Sequence, residues 1–219
     1  MLVAKTGMTV EHDIVKKYVA SDVLVLVGNY TVETLYSSVP NTCQAIISMG
    51  VCGGLASDAI VGKPFIYDTV VTANATYSAD IAWSKRLFAV TQYYECHCWS
   101  TSQFNTANTV EQRAALAAKT GCKVIDDETW AVAEYAAGRN IPWIGLRVVS
   151  DSSRDNLPEA VVNALNPDGS DNIEDVIKSV VEDPLQIPSL IETAANAQKA
   201  FTELHNACVR IGPHCQFLA

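Results

Sequence analysis

Acidic side chains stand at several points where the chain leaves a strand or begins a helix. Asp126, Asp127 and Glu128 follow one β-prone stretch, Asp151 ends another, and Glu11 sits early in the first helical stretch. Carboxylates gathered at one rim of a sheet can divide general-acid and general-base work between them. The pattern therefore favours acid–base chemistry at one end of an α/β sheet.

The segment that must position most of these groups reads as strand, helix and strand. A helix is predicted over residues 128–137 and is expected to end at Gly138, because glycine best tolerates the left-handed cap. Pro142 cannot continue a helix, and the apolar run over residues 143–149 is β-prone. This βαβ unit places its carboxylates at the carboxyl ends of strands, where open parallel sheets bind ligands.

A glycine-rich segment follows Met49 and reads Gly50-Val51-Cys52-Gly53-Gly54. It is predicted to form a turn at the same rim, where bare backbone N–H groups can approach a sugar or phosphate closely. The spacing is not that of a dinucleotide-binding loop, and the chain has no phosphate-binding Gly-Lys-Ser/Thr motif. Dinucleotide binding is therefore weakly supported, and nucleotide hydrolysis is disfavoured.

A purely structural explanation competes for some of these carboxylates. Acidic residues in the first turn of a helix stabilise its dipole without any function, which could account for Glu11, Asp126, Asp127 and Glu128. Asp151 differs, because it ends an apolar strand and is followed by a polar loop rather than by a helix. Asp151 is therefore the strongest single candidate.

Composition limits the class of protein. The chain has 219 residues, 49% of them hydrophobic and 18% charged, with a formal net charge of -9. The absence of a basic stripe disfavours nucleic acid as a partner. The apolar runs are too short to span a bilayer, and no secretory signal is evident. We expect one α/β domain over residues 1–219 and a cytoplasmic location.

Seven cysteines show no repeated metal-binding spacing. The Cys96-His97-Cys98 cluster offers three ligands too close together, with no distant partner pair. Reduced, partly buried cytosolic thiols are the favoured interpretation, and no metal is expected.

Five separated segments resemble a known family in the same order along the chain. They are Thr6-Gly7-Met8-Thr9-Val10-Glu11, Ser48-Met49-Gly50-Val51-Cys52-Gly53-Gly54-Leu55-Ala56, Val61-Gly62-Lys63, Asp126-Asp127-Glu128-Thr129-Trp130-Ala131-Val132-Ala133 and Arg147-Val148-Val149-Ser150-Asp151. On these the chain resembles the purine nucleoside phosphorylase and methylthioadenosine/adenosylhomocysteine nucleosidase superfamily. The resemblance implies a three-layer αβα fold with a mixed, largely parallel central sheet. Leu157-Pro158 and residues 163–169 look most like the hopanoid-associated subgroup, which is thought to remove adenine from adenosylhopane.

The resemblance also implies roles for individual residues. Asp151 would be the general acid that protonates the leaving purine, and Glu11 would activate water. Glu128 would accept hydrogen bonds from the ribose hydroxyls, and Phe104 would stack on the base. The remaining substrate contacts are expected from Asp127, Ser150, Gly53, Met8 and Val51.

The chain departs from the family pattern at several positions. Asp127 stands where the family has a methionine packed against the sugar, and Arg154 stands near the place of a second aspartate. The Gly28-Asn29 turn lacks the arginine that phosphorylases use for phosphate. A carboxylate beside Glu128 in a partly dry pocket needs a partner or a raised pKa.

These observations favour hydrolysis of a purine nucleoside that releases adenine, without a cofactor. Two alternatives remain open: phosphorolysis, with phosphate as co-substrate, and nucleoside binding without turnover. The resemblance also implies a homodimer or a higher homo-oligomer.

Overall fold

The computed structural model describes residues 1–102, 106–162, 164, 166 and 168–217. Within these residues eight strands form one sheet: β1 Leu2–Thr6, β2 Leu24–Val27, β3 Ala45–Gly54, β4 Pro64–Val71, β5 Thr76–Ser78, β6 Tyr94–Ser100, β7 Val124–Asp126 and β8 Trp143–Asp151. The helices are α1 Thr9–Tyr18, α2 Val32–Ser38, α3 Ile81–Thr91, α4 Val110–Thr120, α5 Thr129–Arg139, α6 Glu159–Val162, α7 Ile173–Glu182 and α8 Ile187–Ile211, with a 3₁₀ turn at Pro184–Gln186.

The sheet is mixed and largely parallel, as the sequence predicted. β1 pairs in parallel with β2 and β3, β3 with β8, and β6 with β4 and β7. The antiparallel pairs are β3 with β7, β4 with β5 and β4 with β8. Helices α5 and α8 both pack against β3 and β8, with α2 beside α5 and α1 and α3 beside α8.

Five of the strands close into a ring. β3 pairs with β8, β8 with β4, β4 with β6, β6 with β7, and β7 returns to the end of β3 at Gly53 and Gly54. The prediction of a turn after Met49 was wrong, because β3 runs on through Gly54. A side chain at Gly50 would overlap the Glu11 carboxylate, and one at Gly54 would lie 2.6 Å from the Ala59 carbonyl oxygen. The glycines therefore allow close packing along a continuous strand.

The predicted end of α5 was also wrong by a short distance. The helix continues through Gly138 to Arg139, and the left-handed residue that ends it is Asn140. Gly138 lies against the hydroxyl of Tyr36, where an added Cβ would overlap it. The glycine thus leaves room for the end of the Tyr36 side chain of α2 and does not end the helix.

The cysteines are buried, free thiols at all seven positions, each of which lies in the described part of the chain. Along β6, Cys96 and Cys98 point inward while His97 is exposed between them, so the three side chains do not converge. Burial raises the pKa of the Cys52 thiol, which is therefore protonated at neutral pH. Across the described ranges, none of the helices combines the length and apolar character that a membrane crossing requires.

Candidate active site

A cavity of about 230 Å³ lies where β3, β7 and β8 end and α1 begins. Of the nine site residues predicted from the sequence, eight line it: Asp151, Glu11, Glu128, Asp127, Ser150, Gly53, Met8 and Val51. The ninth, Phe104, lies outside the described residues. The other lining residues are Cys52, Thr106, Ala107, Asn108, Arg113, Ile125, Asp126 and Leu157.

Glu11 is fixed by backbone donors from two segments. Its Oε2 accepts hydrogen bonds from the N–H groups of Gly7 at 2.8 Å and Met8 at 2.9 Å, and its Oε1 accepts one from Val51 at 2.7 Å. Burial and the nearby Glu128 carboxylate raise the pKa of Glu11, against the opposing effects of Arg147 and the N–H donors. The bond from Met8 does cap α1, but the bond from β3 also makes Glu11 a rigid part of the cavity wall.

Arg147 joins two further carboxylates to this wall. Its guanidinium lies 2.6 Å from Glu128 Oε2 and 3.1 Å from Asp126 Oδ2, as charge contacts rather than aligned hydrogen bonds. It also donates to the Val51 carbonyl and the Ser48 hydroxyl, both at 2.9 Å. Since every one of its neighbours is fixed in a strand or at a helix start, Arg147 holds the carboxylates in place.

Asp126 supports the site from within the protein. It accepts hydrogen bonds from the Ser100 hydroxyl and from the N–H and hydroxyl groups of Thr129. Burial opposes ionisation of Asp126, but Arg147 and these donors outweigh it and lower its pKa. Asp126 is therefore a buried carboxylate that anchors both Arg147 and the start of α5.

Asp127 has a different environment from its neighbour in sequence. Burial, together with the charges of Glu128 and Asp126, raises the pKa of Asp127 to about 8. A carboxyl group with that pKa carries a proton at neutral pH and can donate a hydrogen bond into the cavity. Asp127 in its protonated form therefore adds no second negative charge beside Glu128, although the family has an apolar side chain at this position.

Asp151 is held by one arginine and one hydroxyl. Arg113 of α4 forms an ion pair with Asp151 Oδ1, and the Ser150 hydroxyl donates to Oδ2 at 2.6 Å. Arg113 also donates to the carbonyl oxygens of Gly54 and Ser152, both at 3.1 Å. Both residues line the cavity, but the Asp151 side chain keeps 14% of its surface exposed, whereas that of Arg113 keeps 1%, so the carboxylate is the more accessible member of the pair.

The sequence predicts no role for either arginine of this site. Arg147 precedes Asp151 by four residues on the same strand, and this closeness in sequence is the signal that could have placed it near the site, although a register shift against β3 lies between the two residues. Arg113 lies in a helix with several charged residues, and nothing in its spacing distinguishes it. Their pairing with distant carboxylates becomes visible only when the elements are assembled.

The family model described as the phosphorylase superfamily matches residues 30–183, which is well over half of the chain. The chain belongs to the phosphorylase superfamily. This membership makes it an enzyme of the phosphorylase and nucleosidase type, as the sequence predicted. No curated protein matches the chain in sequence.

Solved structures of this superfamily share the fold at low sequence identity. A methylthioadenosine/adenosylhomocysteine nucleosidase from Colwellia psychrerythraea 34H, in complex with adenine, superposes with a TM-score of 0.68 at 11% identity, covering 100% of this chain and 98% of that one. Futalosine hydrolase of Helicobacter pylori strain 26695 gives a TM-score of 0.65 at 14% identity, covering 95% and 97%. A nucleosidase from the same species, with butyl-thio-DADMe-Immucillin-A, gives 0.64 at 13%, covering 94% and 97%.

Proposed function

We propose that this phosphorylase-superfamily enzyme hydrolyses the N-glycosidic bond of a purine nucleoside and releases the free base. The observation that carries the proposal is the cavity itself, in which Glu11, Glu128 and Asp151 reach one space from three different elements. Cleavage through an oxocarbenium-like state needs a nucleophile at the sugar and a proton for the leaving group. The cavity offers a separate carboxyl group for each task.

Glu11 is the group proposed to activate water. Its three N–H donors fix the carboxylate, and burial raises its pKa, which makes it a stronger base than an exposed glutamate. Glu128 is proposed to accept hydrogen bonds from the ribose hydroxyls, since its carboxylate is already oriented by Arg147.

Asp151 is proposed to deliver the proton to the purine. Its Oδ1 forms an ion pair with Arg113. We propose that this pair opens when substrate enters, so that Asp151 can act on the purine. Adenine is the proposed leaving base because the Colwellia psychrerythraea nucleosidase of the same fold binds adenine.

Hydrolysis is favoured over phosphorolysis by the charges of the cavity. Its described lining contains five carboxyl groups, at Glu11, Asp126, Asp127, Glu128 and Asp151, and only one cationic side chain, Arg113. Arg113 is occupied by Asp151, and the neighbouring Arg147 by Asp126 and Glu128. An attacking phosphate would meet negative charge and would have to displace one of these ion pairs.

The experiment is a measurement of adenine release from adenosine and 5′-methylthioadenosine, with and without added phosphate. We expect release that does not depend on phosphate, together with a free sugar product. A strict phosphate requirement with ribose 1-phosphate as product would sink the hydrolytic reaction. A shift in melting temperature with adenine, and no product from any nucleoside, would instead indicate a binding protein.

Substitutions test the assigned roles in the same assay. Glu11→Gln and Asp151→Asn are each expected to lower kcat by roughly two to four powers of ten, which is the usual contribution of acid–base catalysis. Asp151→Asn should still bind adenine. Glu192→Gln, which removes an exposed carboxylate on α8, is the matched control and should retain full activity.

Four finer assignments extend the proposal. We propose a homo-oligomer, a single domain over residues 1–219, a cytoplasmic location and a hopanoid-type substituent at the ribose 5′ position. An assay of 5′-alkyl nucleosides of increasing chain length tests the last of these. Rates that fall steeply with chain length would contradict a hopanoid substrate.

A further inference from the structure

Lys5 is a charged residue in the middle of the core that the proposed reaction does not use. It lies in β1, among residues that are all buried, and its own side chain is fully buried. Within the described part of the chain its Nζ has no hydrogen-bond partner. Because an isolated buried ammonium is costly, such a group needs compensation from its surroundings.

The strand register places Lys5 directly behind the cavity wall. Lys5 is opposite Ser48 of β3, and Ser48 is opposite Gly145 of β8. Paired residues of parallel strands point to the same face of the sheet, so Lys5, Ser48 and Gly145 share one face. Arg147 lies two residues after Gly145 and therefore points to that face as well. Arg147 donates to the Ser48 hydroxyl at 2.9 Å, which joins this layer to the wall of the site.

The charged groups that face Lys5 come from every element around it. They are Glu128 at the start of α5, Arg147 of β8, Glu11 of α1 and Asp126 of β7. Three carboxylates therefore share one arginine, and the Lys5 ammonium supplies the second positive charge. Without it the cluster would hold two uncompensated negative charges when all three carboxylates are ionised.

We propose that Lys5 is a positioning residue that keeps Glu11 ionised for the reaction by placing a positive charge behind it. This inference rests on the proposed function, because it concerns the proposed base. Burial lowers the pKa of Lys5 to about 8, against the opposing effect of Glu128. The ammonium is thus mostly present at neutral pH and is lost just above it.

A pH dependence follows from these positions. The Lys5 ammonium favours the charged form of Glu11, so the rise of activity as Glu11 ionises should lie at lower pH in the wild-type enzyme than in a variant without this charge. Asp127, with a pKa of about 8, is a second group that titrates above neutral pH, so its own variant is compared.

The experiment compares the pH profile of kcat/KM in Lys5→Met, Lys5→Arg, Asp127→Asn and the surface control Lys16→Met. Lys5→Met should move the acid limb up by about one pH unit, because an opposite charge close to a carboxylate lowers its pKa by that order. Lys5→Arg should restore the acid limb, and both Asp127→Asn and Lys16→Met should leave the acid limb where the wild-type enzyme has it.

An unchanged acid limb in a folded Lys5→Met enzyme would overturn the proposal, because it would mean that Lys5 only fills space. If Lys5→Met does not fold, Lys5→Gln provides a second neutral side chain. The same upward shift of the acid limb in Lys5→Gln supports the proposal, and an unshifted limb overturns it.

A separate measurement does not depend on turnover. The folded-state pKa of Lys5 is below its unfolded value of 10.5, so wild-type protein should gain stability relative to Lys5→Met between about pH 8 and 10.5. If no nucleoside is cleaved by any variant, the proposed function fails while this gain still supports the buried charge. A melting-temperature difference that stays constant over this range overturns it.

Discussion

Arg147 and Arg113 are both buried arginines that hold carboxylates at the same cavity, but their surroundings differ. Arg147 lies among Asp126, Glu128 and Glu11 and donates to two residues of β3, so its neighbours are fixed on all sides. Among the described residues Arg113 forms an ion pair with one carboxylate, Asp151, whose side chain remains partly exposed to the cavity. The first arginine therefore suits a permanent framework, whereas the second suits a pair that opens during the reaction.

Replacement of each arginine by methionine should have the largest effect and should separate the two sites. Arg147→Met leaves buried, uncompensated carboxylates and should cost about 3–5 kcal/mol of unfolding free energy, together with activity. Arg113→Met should cost less, because the Asp151 carboxylate can turn toward solvent in the cavity. Urea denaturation measures both, and equal losses would show that the two pairs are equally fixed.

Replacement of Asp127 should have an effect of intermediate size on the stability of the protein. Its folded-state pKa of about 8 exceeds the unfolded value of 3.8, so the folded state binds the extra proton between these limits. Wild-type stability should therefore fall as pH rises from about 4 to 8, relative to Asp127→Asn. We expect the variant to be more stable by about 2 kcal/mol at pH 8, since partial exposure reduces the full effect.

A matched control for Asp127→Asn can be included in the same measurement. Asp13→Asn removes an exposed carboxylate from α1 and should follow the wild-type curve at each pH. A stability difference between Asp127→Asn and wild type that does not change with pH would show that Asp127 is ionised in the folded protein.

The smallest expected effect compares two hydroxyl groups: Ser48, which binds Arg147, and Ser150, which binds Asp151. Ser48 joins Arg147 to Thr129, with a 2.8 Å contact between the two hydroxyls, whereas Ser150 donates to Asp151 and has the cavity beside it. Ser48→Ala should cost about 1–3 kcal/mol, because it leaves buried partners unsatisfied. Ser150→Ala should cost about 1 kcal/mol or less and lower kcat instead. Calorimetry and the adenine assay together measure this difference.

The sequence predicted the carboxylates of the site but not the cations that organise them. Strand ends and helix starts are local features, so Glu11, Glu128 and Asp151 could be placed at one rim from residue order alone. Arg113 reaches a strand 38 residues later in the chain, and such pairing depends on how α4 lies across the sheet. No local pattern contains that information.

The fold was predictable at the level of elements and less so at their ends. Gly138 and the segment after Met49 were both interpreted as breaks because glycine favours turns. In the structure each glycine instead permits close packing, against Tyr36 in one case and Glu11 in the other. A single sequence cannot distinguish these uses, since both follow from the missing Cβ.

The ring of five strands affects the order in which parts of the protein unfold. In the described part of the chain the strands with a free side are β2 and β5, at the two ends of the sheet order. Val51, whose N–H group holds Glu11, belongs to β3 inside the ring. Local unfolding that begins at the edges of the sheet would therefore expose this amide last. We expect its hydrogen to exchange with deuterated solvent only when the whole protein unfolds. The geometry of the proposed catalytic base is thereby linked to the slowest-opening part of the molecule.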